Sequence, residues 1–363
     1  MRRVIIVTDY YFNDRRGGGI SSAVSNLFLH LDGEANISII SLRKEDGKIS
    51  PIFFYHTLLN FLFLNKNVVI YLTGIFNFHS NILPIFLARF SRNKLIISPR
   101  GMLKSSALNK SKKKLLFLKF VRFFLKKSTI IHVTDRLEQS ESIFFFPTFR
   151  HIPILDFPPI RIQEFPQRTK ESGEISLLYI GRIDELKNLY SLLVALKNLS
   201  NFLTNSALNS TKNIKFTIIG QKADLKYYDR CKKLIDEIVD LNEITIRHLE
   251  FVPYEDLERY YLDHHIFVSL SKGENFGYTI AESLSNAMPV IITPNSPFGK
   301  LFDLRIGSVV NGDDLNEVCN EILFYYNMSN VDYDNLSKNI FDSYNHMFRN
   351  NDLISEYKEL FSV

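Results

Sequence analysis

Cysteine is scarce: Cys231 and Cys319 are the only two in 363 residues, and each falls within an ordinary amphipathic pattern. A disulfide framework and a cysteine-based zinc site are therefore excluded as organising devices. No uninterrupted run of about 18 apolar residues occurs, so the sequence offers no membrane span. The opening stretch, Met1 to Asp9, is too short in apolar residues for a secretion signal and lacks a small-residue cleavage site. It reads as a first β-strand, and these absences together predict a cytoplasmic protein. Negative charge is missing over one long stretch as well, because no Asp or Glu occurs between Asp46 and Asp135.

That gap makes the charge lopsided. Residues 1–165 carry +13 and residues 166–363 carry −8, which leaves the modest overall +5. The densest cationic segment runs from Lys110 to Lys127 (KSKKKLLFLKFVRFFLKK). A first half this basic faces an anion: phosphate, lipid headgroup or nucleic acid. Laid on a helix, residues 112–127 put Lys119, Arg122 and Lys126 on one side, with Leu116, Phe117, Phe120, Phe123 and Phe124 across a broad opposite side. Two readings follow, a sheet-covering helix with Phe in the core, or a helix that docks on anionic lipid through residues 110–127.

What is present argues for two cores. Apolar residues make up 45% of the chain, with 31 Phe and 17 Tyr, enough for two α/β domains of ordinary size. Short β-branched runs alternate with helical patterns, the signature of parallel sheets with crossover helices. Strands are expected at 4–8, 37–42, 68–72, 95–98 and 130–133, then at 177–180, 215–219, 245–249, 266–269 and 290–292. Between the two series, residues 146–172 hold five prolines, and the domain junction is placed at 157–172. The predicted fold is α/β, with two Rossmann-like doubly wound domains facing each other across a cleft. Their boundaries are 1–160 and 161–340, followed by a helical segment at 341–363. Ligands of such sheets sit at the carboxyl ends of the strands.

The strongest chemical signal is Ser271-Lys-Gly-Glu274-Asn275-Phe276-Gly277-Tyr-Thr-Ile-Ala-Glu282. A strand ends, a glycine-bearing loop follows, and a helix starts near Gly277 or Tyr278, where free backbone amides favour an anion or a sugar hydroxyl. Glu274 lies in the loop and Glu282 about one turn into the helix, so the two acids reach different parts of one ligand. A carboxylate suits the paired hydroxyls of a ribose or hexose. A second signal is the strand Leu177–Ile180 running into Gly181-Arg182-Ile-Asp-Glu-Leu-Lys187-Asn188. The glycine lets the backbone turn, and two spaced cations can offset a diphosphate and stabilise it as a leaving group. A third is Arg15-Arg-Gly17-Gly18-Gly19-Ile-Ser21 after the first strand. Its glycines permit close approach of backbone to phosphate, although the spacing is not a full dinucleotide fingerprint.

These motifs resemble the large retaining glycosyltransferase family 4, the glycosyl transferases group 1, whose fold is called GT-B. Its two glutamates separated by seven residues match Glu274 and Glu282. The resemblance implies that Glu274 addresses the donor sugar and stabilises the reacting state, and that Asn275, Phe276 and Gly277 line the sugar site. It implies that Glu282 holds the donor ribose, that Arg182 and Lys187 hold the donor diphosphate, and that Gly18 and Gly19 reach the same phosphates. In the first domain, Thr73-Gly74 and Arg100-Gly101 stand where many members carry histidine. Thr73 and Arg100 are thus candidates for the acceptor or the cleft, Arg100 for an anionic acceptor or the diphosphate, with a strand-end salt bridge the other reading of Arg100.

The function implied is transfer of a hexose-type sugar, with retention, from a UDP- or GDP-linked nucleotide-sugar donor to a saccharide or lipid-linked saccharide acceptor. Bacterial surface-polysaccharide synthesis is the implied setting. No metal and no cofactor beyond the donor are expected. Asp332-Tyr-Asp334 spells a metal-binding pattern without a preceding strand and is read as chance. Asp263-His264-His265 has no metal-ligand spacing and is read as structural. No nucleic-acid partner is expected, since the second half is acidic. The competing functions are a nucleotide-sugar epimerase on the same fold, a nicotinamide-dependent oxidoreductase, and a basic membrane- or nucleic-acid-binding module.

Overall fold

A computed structural model describes residues 2–10, 18–43, 48–65, 67–104, 108, 112–159, 164–205, 213–241, 243–300, 306–348 and 352–362. The chain forms two compact units, residues 1–158 with 350–363, and residues 159–349.

The first unit holds a six-stranded parallel sheet in the order β2-β1-β3-β4-β5-β6. Its strands are β1 (Arg3–Thr8), β2 (Ile37–Ser41), β3 (Val68–Thr73), β4 (Lys94–Ser98), β5 (Ile130–Val133) and β6 (Arg150–Pro153). The run Val4–Val7 is apolar without alternation because a central parallel strand is covered on both faces. Ile5 and Val7 enter one core, while Val4 and Ile6 enter the other. Helix α1 (Gly19–Leu31) covers the second of these faces. On the opposite face lie α2 (Pro51–Leu59), continuing into a π-helical turn, then α3 (Leu83–Ala88), α4 (Lys112–Phe124) and α5 (Arg136–Phe145).

The second unit repeats the plan in the order β12-β11-β10-β7-β8-β9. Its strands are β7 (Glu174–Ile180), β8 (Asn213–Ile219), β9 (Ile244–Leu249), β10 (Ile266–Ser269), β11 (Val290–Ile292) and β12 (Gly307–Val309). The helices are α6 (Leu189–Asn205), α7 (Leu225–Asp240), α8 (Tyr254–Asp263), α9 (Tyr278–Ser285), α10 (Leu315–Asn327) and α11 (Asn330–Met347). The last helix, α12 (Asp352–Ser362), belongs to the first unit. There Tyr357 stacks on Phe157 at 4.8 Å, and Phe361 meets Tyr71 edge-on at 5.8 Å.

All ten expected strands form. Two more, β6 and β12, escaped the sequence reading; β6 lies in the proline-bearing segment and is only half-buried. The order of the second sheet reverses between β7 and β10, and that of the first between β1 and β3. These reversals leave crevices at the carboxyl ends where ligands of such sheets bind.

Candidate active site

At the reversal point of the second sheet, β7 ends at Ile180 and Gly181 turns the chain. Gly220, at the end of β8, lies so close that a Cβ there would sit 1.8 Å from the Gly181 carbonyl oxygen. The Asp184 carboxylate accepts from the Lys187 amide at 3.0 Å and pairs with Arg182 at 3.1 Å. It therefore closes the turn that carries both cations. Arg182 is 61% exposed, so its guanidinium stays open to solvent and to an anion.

The loop after β10 is fastened from both sides. Lys272 donates its amide to the Leu186 carbonyl at 2.8 Å, and Glu274 donates to the Asn295 carbonyl at 2.9 Å. These backbone bonds bring the Lys187 ammonium to 2.6 Å from the Glu274 carboxylate. The ion pair spans the crevice between the ends of β7 and β10.

Gly277 then starts α9 in the left-handed region (φ +85°), a conformation that favours glycine. Phe276 is buried against Tyr278 and Phe298, at ring distances of 4.7 and 5.6 Å. It anchors the loop from behind, while Asn275 remains half-buried. Glu282 lies one turn into α9 and is buried, with one carboxylate oxygen accepting from the Tyr261 hydroxyl at 2.7 Å.

The sequence singled out Arg182, Lys187, Glu274, Asn275, Phe276, Gly277 and Glu282, all of which lie around the ends of β7 and β10. It missed three supporting residues. Gly220 had a signal, a glycine ending an apolar strand just as Gly181 does. Tyr261 had none, because a tyrosine pair on a helix reads as core. Arg168, buried in the linker, donates to the carbonyls of Asn286 at 2.9 Å and Tyr261 at 2.7 Å. It thereby ties the C-terminal ends of α8 and α9 together, which a cation can do favourably at helix C-termini.

The candidates of the first unit lie in a separate body. Gly18 precedes α1 with φ +62°, and Gly19 is the first residue of that helix; Arg15, Arg16 and Gly17 lie outside the described residues. Thr73 ends β3 and donates its hydroxyl to the Val7 carbonyl at 3.1 Å. Arg100 is a buried residue whose guanidinium forms an ion pair with the buried Asp156 and donates to the Tyr71 hydroxyl at 3.1 Å. Of the two readings of Arg100, the structure shows the salt bridge. At the end of β1, Asp9 accepts from the Asn77 side chain. Burial raises its pKa above the usual carboxylate value, against the lowering effects of Ser80, Arg43 and His79.

The weaker motifs resolve into structure. Asp332 stands in the first turn of α11, where its carboxylate accepts from the capping Ser329 hydroxyl at 2.7 Å, an N-terminal cap. His264 is buried between the Tyr260 carbonyl and the Thr217 hydroxyl. Among the described residues no group of three or more His, Cys, Asp or Glu is placed to hold a metal ion. Within the same residues no helix is long and apolar enough to cross a membrane.

Residues 161–335 match the family "Glycosyl transferases group 1". No curated protein sequence matches the chain. Solved structures resemble it in fold. Anabaena HepE in complex with UDP and glucose is 12% identical, with a TM-score of 0.65 over 99% of this chain and 98% of that one. Sucrose-phosphate synthase from Thermosynechococcus elongatus is 14% identical, with a TM-score of 0.68 over 99% and 98%. A mutant of TarM from S. aureus, complexed with UDP and saccharides, is 15% identical with a TM-score of 0.64; the match covers 85% of this chain but spans only 58% of that one. The two α/β units are thus of the GT-B class. The domain at residues 161–335, which contains the Lys187–Glu274 pair and Glu282, matches the group 1 glycosyltransferases.

Proposed function

We propose that this protein transfers a hexose-type sugar, with retention, from a UDP-linked donor to a saccharide or lipid-linked saccharide acceptor in the assembly of a surface polysaccharide. The observation that carries the proposal is the ion pair of Lys187 and Glu274 at 2.6 Å across the reversal point of the second sheet. A buried carboxylate, Glu282, stands one turn into the adjoining helix. In this reading Arg182 and Lys187 bind the diphosphate and stabilise it as it leaves. Lys187 then exchanges part of its contact with Glu274 for phosphate oxygens, and Glu274 turns to the transferred sugar. Glu282 takes the ribose hydroxyls, and Asn275, Phe276 and Gly277 shape the sugar site. The leaving diphosphate accepts the proton of the acceptor hydroxyl on the same face of the sugar, so no protein nucleophile is required. Gly18 and Gly19 approach the donor phosphates, and the first unit takes the acceptor. The UDP complexes of HepE and TarM support uridine as the base.

The test is the shift in thermal stability with UDP, GDP, ADP, CMP, NAD and the matching nucleotide sugars, in EDTA. A ligand at about 100 times its dissociation constant adds roughly 2.7 kcal/mol. UDP and a UDP-sugar should stabilise the protein, and Glu274→Ala should abolish transfer while leaving UDP affinity within about threefold, or roughly 0.7 kcal/mol. A response to NAD alone, full activity of Glu274→Ala, or turnover of donor without any acceptor would each overturn the assignment.

A further inference from the structure

One layer of the first unit has an unusual outer surface. The helices α2, α3 and α4 cover the same face of the sheet through one shared core: Phe54 and Leu58 from α2, Ile85 and Ala88 from α3, Leu118 and Val121 from α4. Aliphatic residues take most of these inward positions, and large apolar side chains are left outside. Phe53, Leu64, Phe90, Leu116, Phe120 and Phe123 are between 58% and 80% exposed. On α4, Leu116, Phe120 and Phe123 follow one another at helical spacing and form a single outward stripe. The reading that puts the α4 phenylalanines in the core is therefore corrected for Phe120 and Phe123. Phe117 and Phe124 do pack partly against it. The rings continue onto α3, with Phe86 5.3 Å from Phe124 and 5.6 Å from Phe90.

The contrast with the second unit decides that this is more than ordinary surface apolarity. Among the described residues, seventeen large exposed apolar side chains lie in the first unit and seven in the second. The charge is equally one-sided: residues 47–134 contain fifteen Lys and Arg and no Asp or Glu. Arg89, Arg92, Lys113, Lys119, Arg122 and Lys127 are exposed on this layer.

We propose that the outer face of α2, α3 and α4 docks on an anionic lipid bilayer, with Phe120 and Phe123 entering the headgroup boundary and the surrounding cations meeting lipid phosphates. A bilayer satisfies both features at once, since rings and aliphatic chains leave water while long cationic side chains reach the phosphates. A nucleic acid would use the cations and stack on rings, but it gives Leu64 and Leu116 no comparable apolar partner. A second copy of this chain would bring two cationic faces together, which repel. The proposal goes beyond the donor-site reading and does not depend on it.

The experiment is co-flotation of the full chain with vesicles of phosphatidylcholine alone and of phosphatidylcholine with phosphatidylglycerol. Binding should favour the anionic vesicles at least tenfold, or about 1.4 kcal/mol, and should fall with salt. Phe120→Ser with Phe123→Ser should lower it at least tenfold, again about 1.4 kcal/mol. Lys119→Ala with Arg122→Ala should lower it about 25-fold, at roughly fivefold per cation. All these side chains are exposed, so the variants should keep the parent melting temperature; the salt dependence of the unaltered protein tests the charge half independently. Failure to bind anionic vesicles, or equal binding to both kinds, overturns the proposal. So does unchanged binding by the Phe variant, which would leave only diffuse electrostatic attraction. A lipid-free dimer broken by that same variant would assign the face to a second copy, and salt-sensitive RNA binding without vesicle binding would assign it to nucleic acid.

Discussion

His132 should make the first unit sensitive to acid well above the range where carboxylates titrate. It is fully buried in β5, with Nδ1 2.7 Å from the Tyr71 hydroxyl and Nε2 3.0 Å from the Ile154 carbonyl. The carbonyl can only accept, so Nε2 carries the proton and Nδ1 accepts from Tyr71, which in turn accepts from Arg100. A second proton on the ring would compete with Arg100 for the Tyr71 hydroxyl oxygen and would lie near a guanidinium. Burial first, and the Arg100 charge next, lower the pKa from 6.5 to about 3. Above pH 6.5 the ring is neutral in both folded and unfolded chains, and its full contribution is present. Below pH 6.5 the unfolded chain takes up a proton that the folded one refuses, so stability falls as acid is added and levels off only near pH 3. With a slope approaching 1.36 kcal/mol per pH unit, the loss between pH 7.5 and pH 5 is about 2 kcal/mol. Other groups titrate in the same window, so the measurement is a difference. Urea unfolding followed by circular dichroism at both pH values is compared between the parent protein and His132→Phe. The parent should lose about 2 kcal/mol more than the variant across that interval. Equal losses, or an imidazole resonance of His132 titrating near pH 6.5, would refute the reasoning.

Two further substitutions probe the supports of the candidate active site. Tyr261→Phe removes the hydroxyl held 2.7 Å from Glu282. It should raise the donor KM about tenfold, roughly 1.4 kcal/mol, with kcat within about twofold; steady-state kinetics showing an unchanged KM would mean that this bond does not position Glu282. Gly220→Ala pushes a methyl into the Gly181 carbonyl, 1.8 Å from the added carbon. The turn holding Arg182 and Lys187 must then shift at a cost of about 1–3 kcal/mol. Calorimetry should show both a lower melting temperature and weaker UDP binding, and parent-like values of both would show that the strand ends separate freely.

The parts of this molecule that the sequence disclosed are those where one residue type answers one physical demand. Buried parallel strands require apolar runs, and all ten that were expected formed. A turn from strand to helix requires glycine at a left-handed position, and Gly277 is such a residue. Strand order left no comparable mark. It depends on which loops cross which face, and the first sheet reverses at β1 and β3 whereas the second reverses at β7 and β10. Tyr261 and Arg168 were hidden for a related reason. Each acts through a contact with residues at least 21 positions away, and no local pattern records such a partner.

The same distinction explains why the two halves of the candidate machinery differed in legibility. In the second unit the candidate side chains are attached to backbone features that force the types of their neighbours: Gly181 and Gly277 at turns, Asp184 closing the cationic loop, Phe276 filling the space behind it. Those forced neighbours turned two bare glutamates into a recognisable motif. In the first unit, Thr73 and Arg100 were singled out because, after apolar strands, they stand where many members of the resembled family carry histidine. A polar residue there can face a ligand or serve the fold. Thr73 bonds the Val7 carbonyl, and Arg100 joins Asp156 and Tyr71 in the buried chain that ends at His132. Nothing local to Arg100 foretells that network, because Asp156 arrives from 56 residues downstream. A cation beside a strand end is therefore open to a ligand only when its side chain stays exposed. Arg182, 61% exposed beside a single carboxylate, meets that condition where the buried Arg100 does not.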